Sequence, residues 1–577
     1  VNTDASLMIL FAVVLGAAAV SDTYQNLSAG NAFLMCVGVG SAVVVFLIFM
    51  WERKSVAAKE RRKAVERIGD IPMSLLTKTA EGVHLGQEVE LGIPIFLPDS
   101  VRLRHVHVIG ATGSGKTESV ILNFLRQDVA RGIGAIIMDA KGDKSFLADL
   151  QAFVPRKRLR VFDLSSARSA SFDPLALGTP IEAAQRLFSS LNWSEEYYKS
   201  KALTAIQRIF QMHFERNTRN PKLKDLAEIL SSPDAFSQGT VSDTYPEEAA
   251  MQDYKELSGL RDQVNLLCLG HLSKTLSPKR KAGMAFEEAK NGRVLYFRLQ
   301  SLLSPQLVGT VGKLLINQLN FLAGTAHRGR GAAKRRKLIP TYLDEFASFV
   351  CPEFADLISK ARSAGFSLHF SHQSLGDLTK ADEGFLDCIT DNSATKIVMR
   401  VSSPDTAEYF ARTFGTKLYQ KITQRITNVK ELDTAEAMGE GSQREAHQFR
   451  ASPDLLKTLP TGEGAVLIAH GDDTPHGAST VFRIRFPRLK GELDENRKNS
   501  RNGIPGDRVL NHERVPAARG KYGVRNWGIS NLWSTLRSWK PGKSGAGGNK
   551  RRNRVGARAP GRVPHAQQRT GGAGAKQ

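Results

Sequence analysis

Gly110-Ala111-Thr112-Gly113-Ser114-Gly115-Lys116-Thr117 is a complete phosphate-binding octet, and no other stretch constrains the fold of this chain as tightly. Such a loop works only between a buried strand and the start of a helix. Its flanks read that way: the apolar run Val106-His107-Val108-Ile109 precedes it, and Glu118-Ser119-Val120-Ile121-Leu122-Asn123-Phe124-Leu125 follows with helical character. Gly110, Gly113 and Gly115 let the backbone bend until successive N–H groups, those of Ala111, Thr112 and Ser114 among them, converge on the α and β phosphates. The helix N-terminus adds its positive dipole end. Lys116 is placed to reach the β and γ phosphates and the Thr117 hydroxyl to sit on Mg²⁺, so ATP with Mg²⁺ is the expected ligand. The bland alternative, a glycine turn before a helix, leaves the Lys-Thr pair unexplained.

A phosphate loop alone does not make a hydrolase; a carboxylate at the end of another buried strand is also needed. Leu338-Ile339-Pro340-Thr341-Tyr342-Leu343-Asp344-Glu345-Phe346 is an apolar run ending in paired acids, the form of a Walker B strand. Asp344 would hold the Mg²⁺ shell and Glu345 would orient the attacking water or take its proton. Read alone, the run is a strand ending in two solvated acids. Paired with the octet, the catalytic reading prevails.

Lys plus Arg number 80 against 57 Asp plus Glu, a net charge of +23, which points to an anionic polymer or a membrane surface as partner. Cys36, Cys268, Cys351 and Cys388 are scattered, without the spacing of a disulfide framework or a zinc site. Ala5 to Ser21 and Thr23 to Trp51 are free of charge, and Ala32 to Met50 is long enough to cross a bilayer. Arg53, Lys54, Lys59, Arg61, Arg62, Lys63 and Arg67 follow directly, whereas the short loop between the two stretches carries no Lys or Arg. The positive-inside rule puts that loop outside and the remaining chain in the cytoplasm. A cleaved signal peptide for the first stretch, suggested by Ala17-Ala18-Ala19, lacks a basic n-region and leaves the same side cytoplasmic. Core helices are the other alternative for both segments.

Beyond a basic juxtamembrane helix, short strands are expected around Val89–Leu91 and Ile93–Leu97, then at Gly134–Asp139 and Leu159–Leu164. This alternation with helices implies a mostly parallel sheet with covered faces. From about residue 180 to 290 the strand pattern stops and apolar residues recur at three- and four-residue spacing, as in an inserted helical domain. Strands resume at Gly292–Leu299, with later ones at Phe366–Ser374, Lys396–Arg400, Gly464–Ala469 and Ser479–Phe486. Gln373 ends one of these: it either caps the strand or orients water at the γ phosphate. Arg362 is either a solvated helix residue or an arginine finger reaching a neighbour's nucleotide. The basic loop Arg328–Lys337 lines a DNA path or is simply solvated. After Glu513 no acid remains, and the Gly/Arg/Lys-rich end cannot bury a core. Trp527, Trp533 and Trp539 among Arg525, Arg537 and Lys540 suit base stacking with phosphate attraction, or docking to a partner.

The order of hairpin, octet, Asp139-Ala140-Lys141-Gly142-Asp143, helical insertion, Leu343-Asp344-Glu345-Phe346, Ala361-Arg362-Ser363-Ala364-Gly365 and Gln373-Ser374 resembles the type IV coupling proteins of bacterial conjugation. These are the TraD/TraG-like branch of the FtsK/HerA class of RecA-fold motors. The resemblance implies an α/β RecA-like P-loop NTPase domain, with an inserted all-α domain and an N-terminal two-helix transmembrane hairpin. The expected divisions are 1–66 for the hairpin and juxtamembrane helix, 67–180 and 291–490 for the nucleotide-binding domain, 181–290 for the insertion and 491–577 for the basic tail. It further implies Lys116, Thr117, Asp344, Glu345 and Gln373 as nucleotide, Mg²⁺ and catalytic residues, and Arg362 as the candidate finger. Implied partners are DNA, relaxase, secretion-channel components and the bacterial inner membrane, with assembly as a homohexamer. Ala140 stands where a proline is common, and the basic tail departs from relatives with acidic extensions. A coupling protein for protein effectors, a chromosome-segregation translocase and a non-hydrolysing membrane adaptor are the rival readings.

Overall fold

The computed structural model describes residues 71–487 apart from 243–244, 280–282, 303, 329–336, 380–383, 430–433 and 470–478, and it leaves the side chains of 420–443 undescribed. The expected membrane hairpin, the basic loop within 329–336 and the tryptophan-bearing tail lie outside the described residues. Among the described residues no helix is long and apolar enough to cross a membrane.

Eleven strands form one mixed sheet: β1 (Gly82–Glu88), β2 (Pro94–Pro98), β3 (Val106–Ile109), β4 (Ala135–Asp139), β5 (Leu159–Asp163), β6 (Val294–Arg298), β7 (Ile339–Asp344), β8 (Phe366–His372), β9 (Thr395–Met399), and, after two strands that stand apart, β12 (Glu463–Ala469) and β13 (Ser479–Arg485). β10 (Thr416–Val429) and β11 (Thr434–Phe449) pair as a separate antiparallel ribbon. The sheet order is β2-β1-β13-β12-β9-β3-β8-β7-β4-β6-β5. From β9 to β5 neighbouring strands are parallel; β12, β13, β1 and β2 extend that sheet in antiparallel pairings.

The central strands are buried along their whole length, which explains their near-continuous apolar sequences. Successive residues feed opposite faces. Ile136 and Met138 join one core cluster, and Ala135 and Ile137 join another; Leu343 and Tyr342 divide the same way. On the first face, helices Pro305–Arg328 and Glu353–Ala364 cover the strands. The helices between Pro180 and Thr275 share that continuous cluster, with Leu187, Ile206, Phe210 and Val264 in the same core as Phe297 and Leu314. On the other face lie helices Leu122–Ala130 and Lys144–Phe153.

One buried ion network fixes the entry to β3. Arg102 is fully buried and donates to both carboxylate oxygens of Asp128, at 2.9 and 2.7 Å, and to the Tyr342 hydroxyl at 3.2 Å. Arg131 adds bonds to Asp128 and Asp99. The guanidinium beside it holds the Asp128 carboxyl at about 2, against the opposing effect of burial.

Two local expectations differ from the structure. Val89–Leu91 is a turn, closed by the Gly92 N–H on the Glu88 carbonyl at 2.9 Å, and the first strand lies earlier, at Gly82–Glu88. The apolar residues of Tyr254–Leu269 stand at helical spacing and predict one helix, but the chain breaks at Leu257 into Glu247–Glu256 and Ser258–Cys268.

Candidate nucleotide site

The functional side chains meet at the carboxyl ends of β3, β8, β7 and β4, which stand side by side in that order. Placing β8 between β3 and β7 puts the Gln373 turn between the phosphate loop and the Asp344-Glu345 pair. In the loop, Gly113 and Gly115 take φ of 75° and 101°, a region open to glycine at little cost. The chain then enters a π-helical turn, Lys116–Ile121, before the regular helix Leu122–Ala130. The Lys116 ammonium lies over its own loop, donating to the Gly110 carbonyl at 2.6 Å. Burial lowers its pKa, and Glu345 and Asp344 oppose that shift.

Thr117 Oγ1 donates to Asp344 Oδ2 at 2.8 Å, and Ser371 Oγ donates to the other oxygen, Asp344 Oδ1. Glu345 sits just past β7 in a left-handed conformation, φ 51°, which turns its carboxylate out of the strand direction. Gln373 bridges the two motifs: its amide nitrogen donates to both Glu345 oxygens at 3.2 Å, and its carbonyl oxygen accepts from Thr112 Oγ1 at 2.9 Å. Because a carboxylate only accepts and the hydroxyl donates to the other end, this network fixes the orientation of the amide. Burial and the neighbouring Asp344 raise the pKa of Glu345, while Lys116 and Gln373 pull it down.

Asp139 is a site residue that the sequence reading did not single out. It ends β4 in register with Asp344 on β7. Tyr296 Oη donates to Asp139 Oδ2 at 2.7 Å and the Gly142 N–H donates to Oδ1 at 2.9 Å. Burial, then repulsion from Asp344, pushes its carboxyl up to about 6. Its apolar run, Ala135–Met138, ends in an acid just as the Walker B strand does, which is the signal that could have found it. The Gly142 turn it anchors has φ 65°, and a Cβ there would lie 2.4 Å from Gln300 Cγ.

The donor set fits Mg²⁺. A hydroxyl and a carboxylate face each other at hydrogen-bond distance, and Asp139 crowds a second buried acid beside them; hard oxygens with surplus negative charge suit that cation. Thr117 and Asp344 would hold it.

Arg362 does not join this constellation within one chain. It is exposed on helix Glu353–Ala364 and lines a cleft of about 470 Å³ with Arg104, His105 and Lys396. Those neighbours precede or begin β3 and β9, at the opposite ends of the strands from the phosphate loop.

Residues 91–242 match the family model of the type IV secretion-system coupling protein DNA-binding domain, and residues 339–460 match that of the TraM recognition site of TraD and TraG. The type 4 coupling protein DotL of Legionella pneumophila is 23% identical over 464 residues, which are 67% of this chain and 58% of DotL. The chain thus spans a little over half the length of that relative. The unbound bacterial conjugative coupling protein TrwB superposes with a TM-score of 0.52 at 15% identity, over 71% of this chain and 90% of that one. TrwB in complex with the ATP analogue ADPNP gives 0.50 at 15% identity, with the same coverage of 71% and 90%. The mixed sheet and its flanking helices are a TrwB-like, RecA-type α/β fold. Two family models, one running from the first strands into the helical segment and one beyond it, and a curated relative agree with the resemblance to the type IV coupling proteins.

Proposed function

We propose that this protein is a membrane-anchored, DNA-stimulated ATPase that brings a relaxase-bound DNA strand to a type IV secretion channel during conjugative transfer. The observation that carries the ATPase reading is the continuous chain Thr112–Gln373–Glu345 beside the Thr117–Asp344 pair. Together they bring the phosphate loop, the expected Mg²⁺ residues and the water-orienting carboxylate to the carboxyl ends of adjacent central strands. DNA as substrate draws on the match of residues 91–242 to a DNA-binding domain and on the charge of +23. Anchoring in the bacterial inner membrane, with the bulk of the chain cytoplasmic, draws on the uncharged segments before Trp51 and the basic residues after them. Relaxosome and channel components as partners follow from the family.

In this reading the loop N–H groups and Lys116 hold the β and γ phosphates. Glu345 orients the attacking water and takes its proton, and its raised pKa brings it closer to the operating pH for that transfer. Gln373 holds the Glu345 carboxylate toward the γ phosphate and, through Thr112, ties its position to the loop. Bound Mg²⁺ would neutralise charge developing on the phosphate oxygens. Arg362 would act on a neighbour's nucleotide in an assembled homohexamer, since its own chain keeps it at the far ends of the strands.

The test is ATP turnover by the full chain in detergent, with and without single- and double-stranded DNA at two salt concentrations, with Glu345→Gln as the blank. Turnover that DNA raises and salt weakens supports a DNA-coupled motor. Turnover indifferent to DNA points to a protein substrate, and equal activity in Glu345→Gln refutes the hydrolytic site.

A further inference from the structure

Behind Gln373 lies a pair of buried histidines that the hydrolytic chemistry does not use. His107, in the middle of β3, and His372, the last residue of β8, meet through their Nε2 atoms at 2.6 Å. Their ring centroids are 4.9 Å apart and their planes 21° from parallel. With the nitrogens that close, the rings lie end to end, nearly coplanar, along one hydrogen bond. His372 Nδ1 is 2.8 Å from the Ser374 carbonyl.

These contacts fix both tautomers. A carbonyl can only accept, so His372 carries its proton on Nδ1. Burial keeps both rings neutral, with His372 at about 4, so His372 Nε2 is bare and His107 must donate to it from its own Nε2. His107 Nδ1 is then a bare acceptor, and it is buried with no hydrogen-bond partner. The neighbouring cation is bonded elsewhere: Lys396, in register with His107 on β9, donates to the Ser393 carbonyl at 2.7 Å. An orphaned nitrogen in the centre of the sheet costs stability, and a pair of apolar rings would avoid the cost. What the pair supplies instead is direction. It runs from the strand that feeds the phosphate loop to the turn that carries Gln373. The same turn is held by the Gly110 N–H on the His372 carbonyl at 3.3 Å and by the Ser374 N–H on Asp377 Oδ2 at 2.9 Å.

We propose that His107 and His372 are positioning residues: a strut of fixed tautomer that holds the Ser374 carbonyl, and through it the Gln373 side chain, in register with the phosphate loop. The inference rests on the ATPase reading for its kinetic consequence but not for its geometry.

The test uses the full chain in detergent and three substitutions at one position. His372→Asn keeps a donor where Nδ1 stands, His372→Gln keeps only a group where Nε2 stands, and His372→Phe keeps only the ring. Loss of kcat by roughly tenfold or more in the Gln and Phe variants is expected, with KM for ATP within about twofold and substantial rescue in the Asn variant. Equal losses in all three, or a rise in KM that accounts for the loss, would overturn it. A second measurement stands apart from catalysis: ¹⁵N spectra of histidine-labelled protein, assigned with His107→Phe and His372→Phe. The strut requires His372 protonated on Nδ1 and His107 on Nε2; the reverse assignment, or a doubly protonated ring at neutral pH, refutes it. Absence of turnover in the unaltered protein would refute the ATPase reading and leave the spectra to decide the strut.

Discussion

Gln373 donates to both carboxylate oxygens of Glu345 at 3.2 Å, although the two residues end different strands. An amide so engaged has its remaining acceptor committed to Thr112, so the three groups move as a unit. Glu345→Gln should therefore retain ATP binding and lose turnover by about 10²–10⁴-fold. Gln373→Ala should cost less, because water still reaches an unsupported Glu345. Single-turnover kinetics beside equilibrium binding of a fluorescent ATP analogue would check both.

Asp139 and Asp344 end adjacent strands in register, and burial, with that juxtaposition added to it, raises the pKa of Asp139. Its folded pKa, about 6, lies above the ordinary carboxylate value of 3.8. Its contribution to stability is thus fully present below about pH 4 and is lost as pH rises through 6. Asp139→Asn mimics the protonated acid. Without nucleotide or Mg²⁺, it should stabilise the protein at pH 8 by about 1–3 kcal/mol, a rise of a few degrees in Tm, and do little at pH 4.5. Thermal melts at the two pH values would check this, and equal shifts at both would contradict the assigned cause.

Arg102 and Asp128 are both fully buried and bonded in a bidentate pair. Removing Arg102 takes the bidentate partner from a fully buried carboxylate and leaves it Arg131 and the Tyr342 hydroxyl. Arg102→Met should destabilise by about 3–5 kcal/mol, and the double change with Asp128→Leu should recover a large part of that loss. Urea unfolding of the two variants against the parent chain decides between them.

Arg362 has a different signature from Lys116 or Glu345, because its own chain keeps it away from the phosphate loop. Arg362→Ala should leave ATP affinity within about twofold and lower turnover by about 10³-fold in the assembled protein. Mixing inactive Glu345→Gln subunits with inactive Arg362→Ala subunits should restore part of the activity, since some interfaces then pair an intact Glu345 with an intact arginine. No restoration at any mixing ratio would remove Arg362 from the mechanism.

The phosphate loop was legible because its chemistry is contiguous: eight residues, a strand before and a helix after. The Asp344-Glu345 pair was legible for the same reason. What joins them was not. The Thr112–Gln373–Glu345 chain and the Asp139–Asp344 pairing depend on strand order, which brings together residues more than 200 positions apart. β1 escaped notice because the bulge between His84 and Gly86 interrupts its alternation. The β10–β11 ribbon, outside the main sheet, was missed although Ile422, Thr423, Ile426 and Thr427 have strand-forming side chains. The break at Leu257 falls beside Ser258-Gly259, a pair that favours turns, but the apolar residues on either side keep helical spacing and mask it.

The two neighbours of β3 in the sheet are β8 and β9, whose residues lie some 260 to 290 positions further along the chain. During synthesis the strand that feeds the phosphate loop therefore waits, unpaired on both edges, until most of the domain has left the ribosome. Non-local pairing of this kind folds slowly and leaves strand edges exposed in the meantime. Any chain cut short before Met399 lacks all or part of at least one flanking strand, and should be unable to close the loop around a nucleotide. Premature termination would then yield fragments that are inert rather than unregulated.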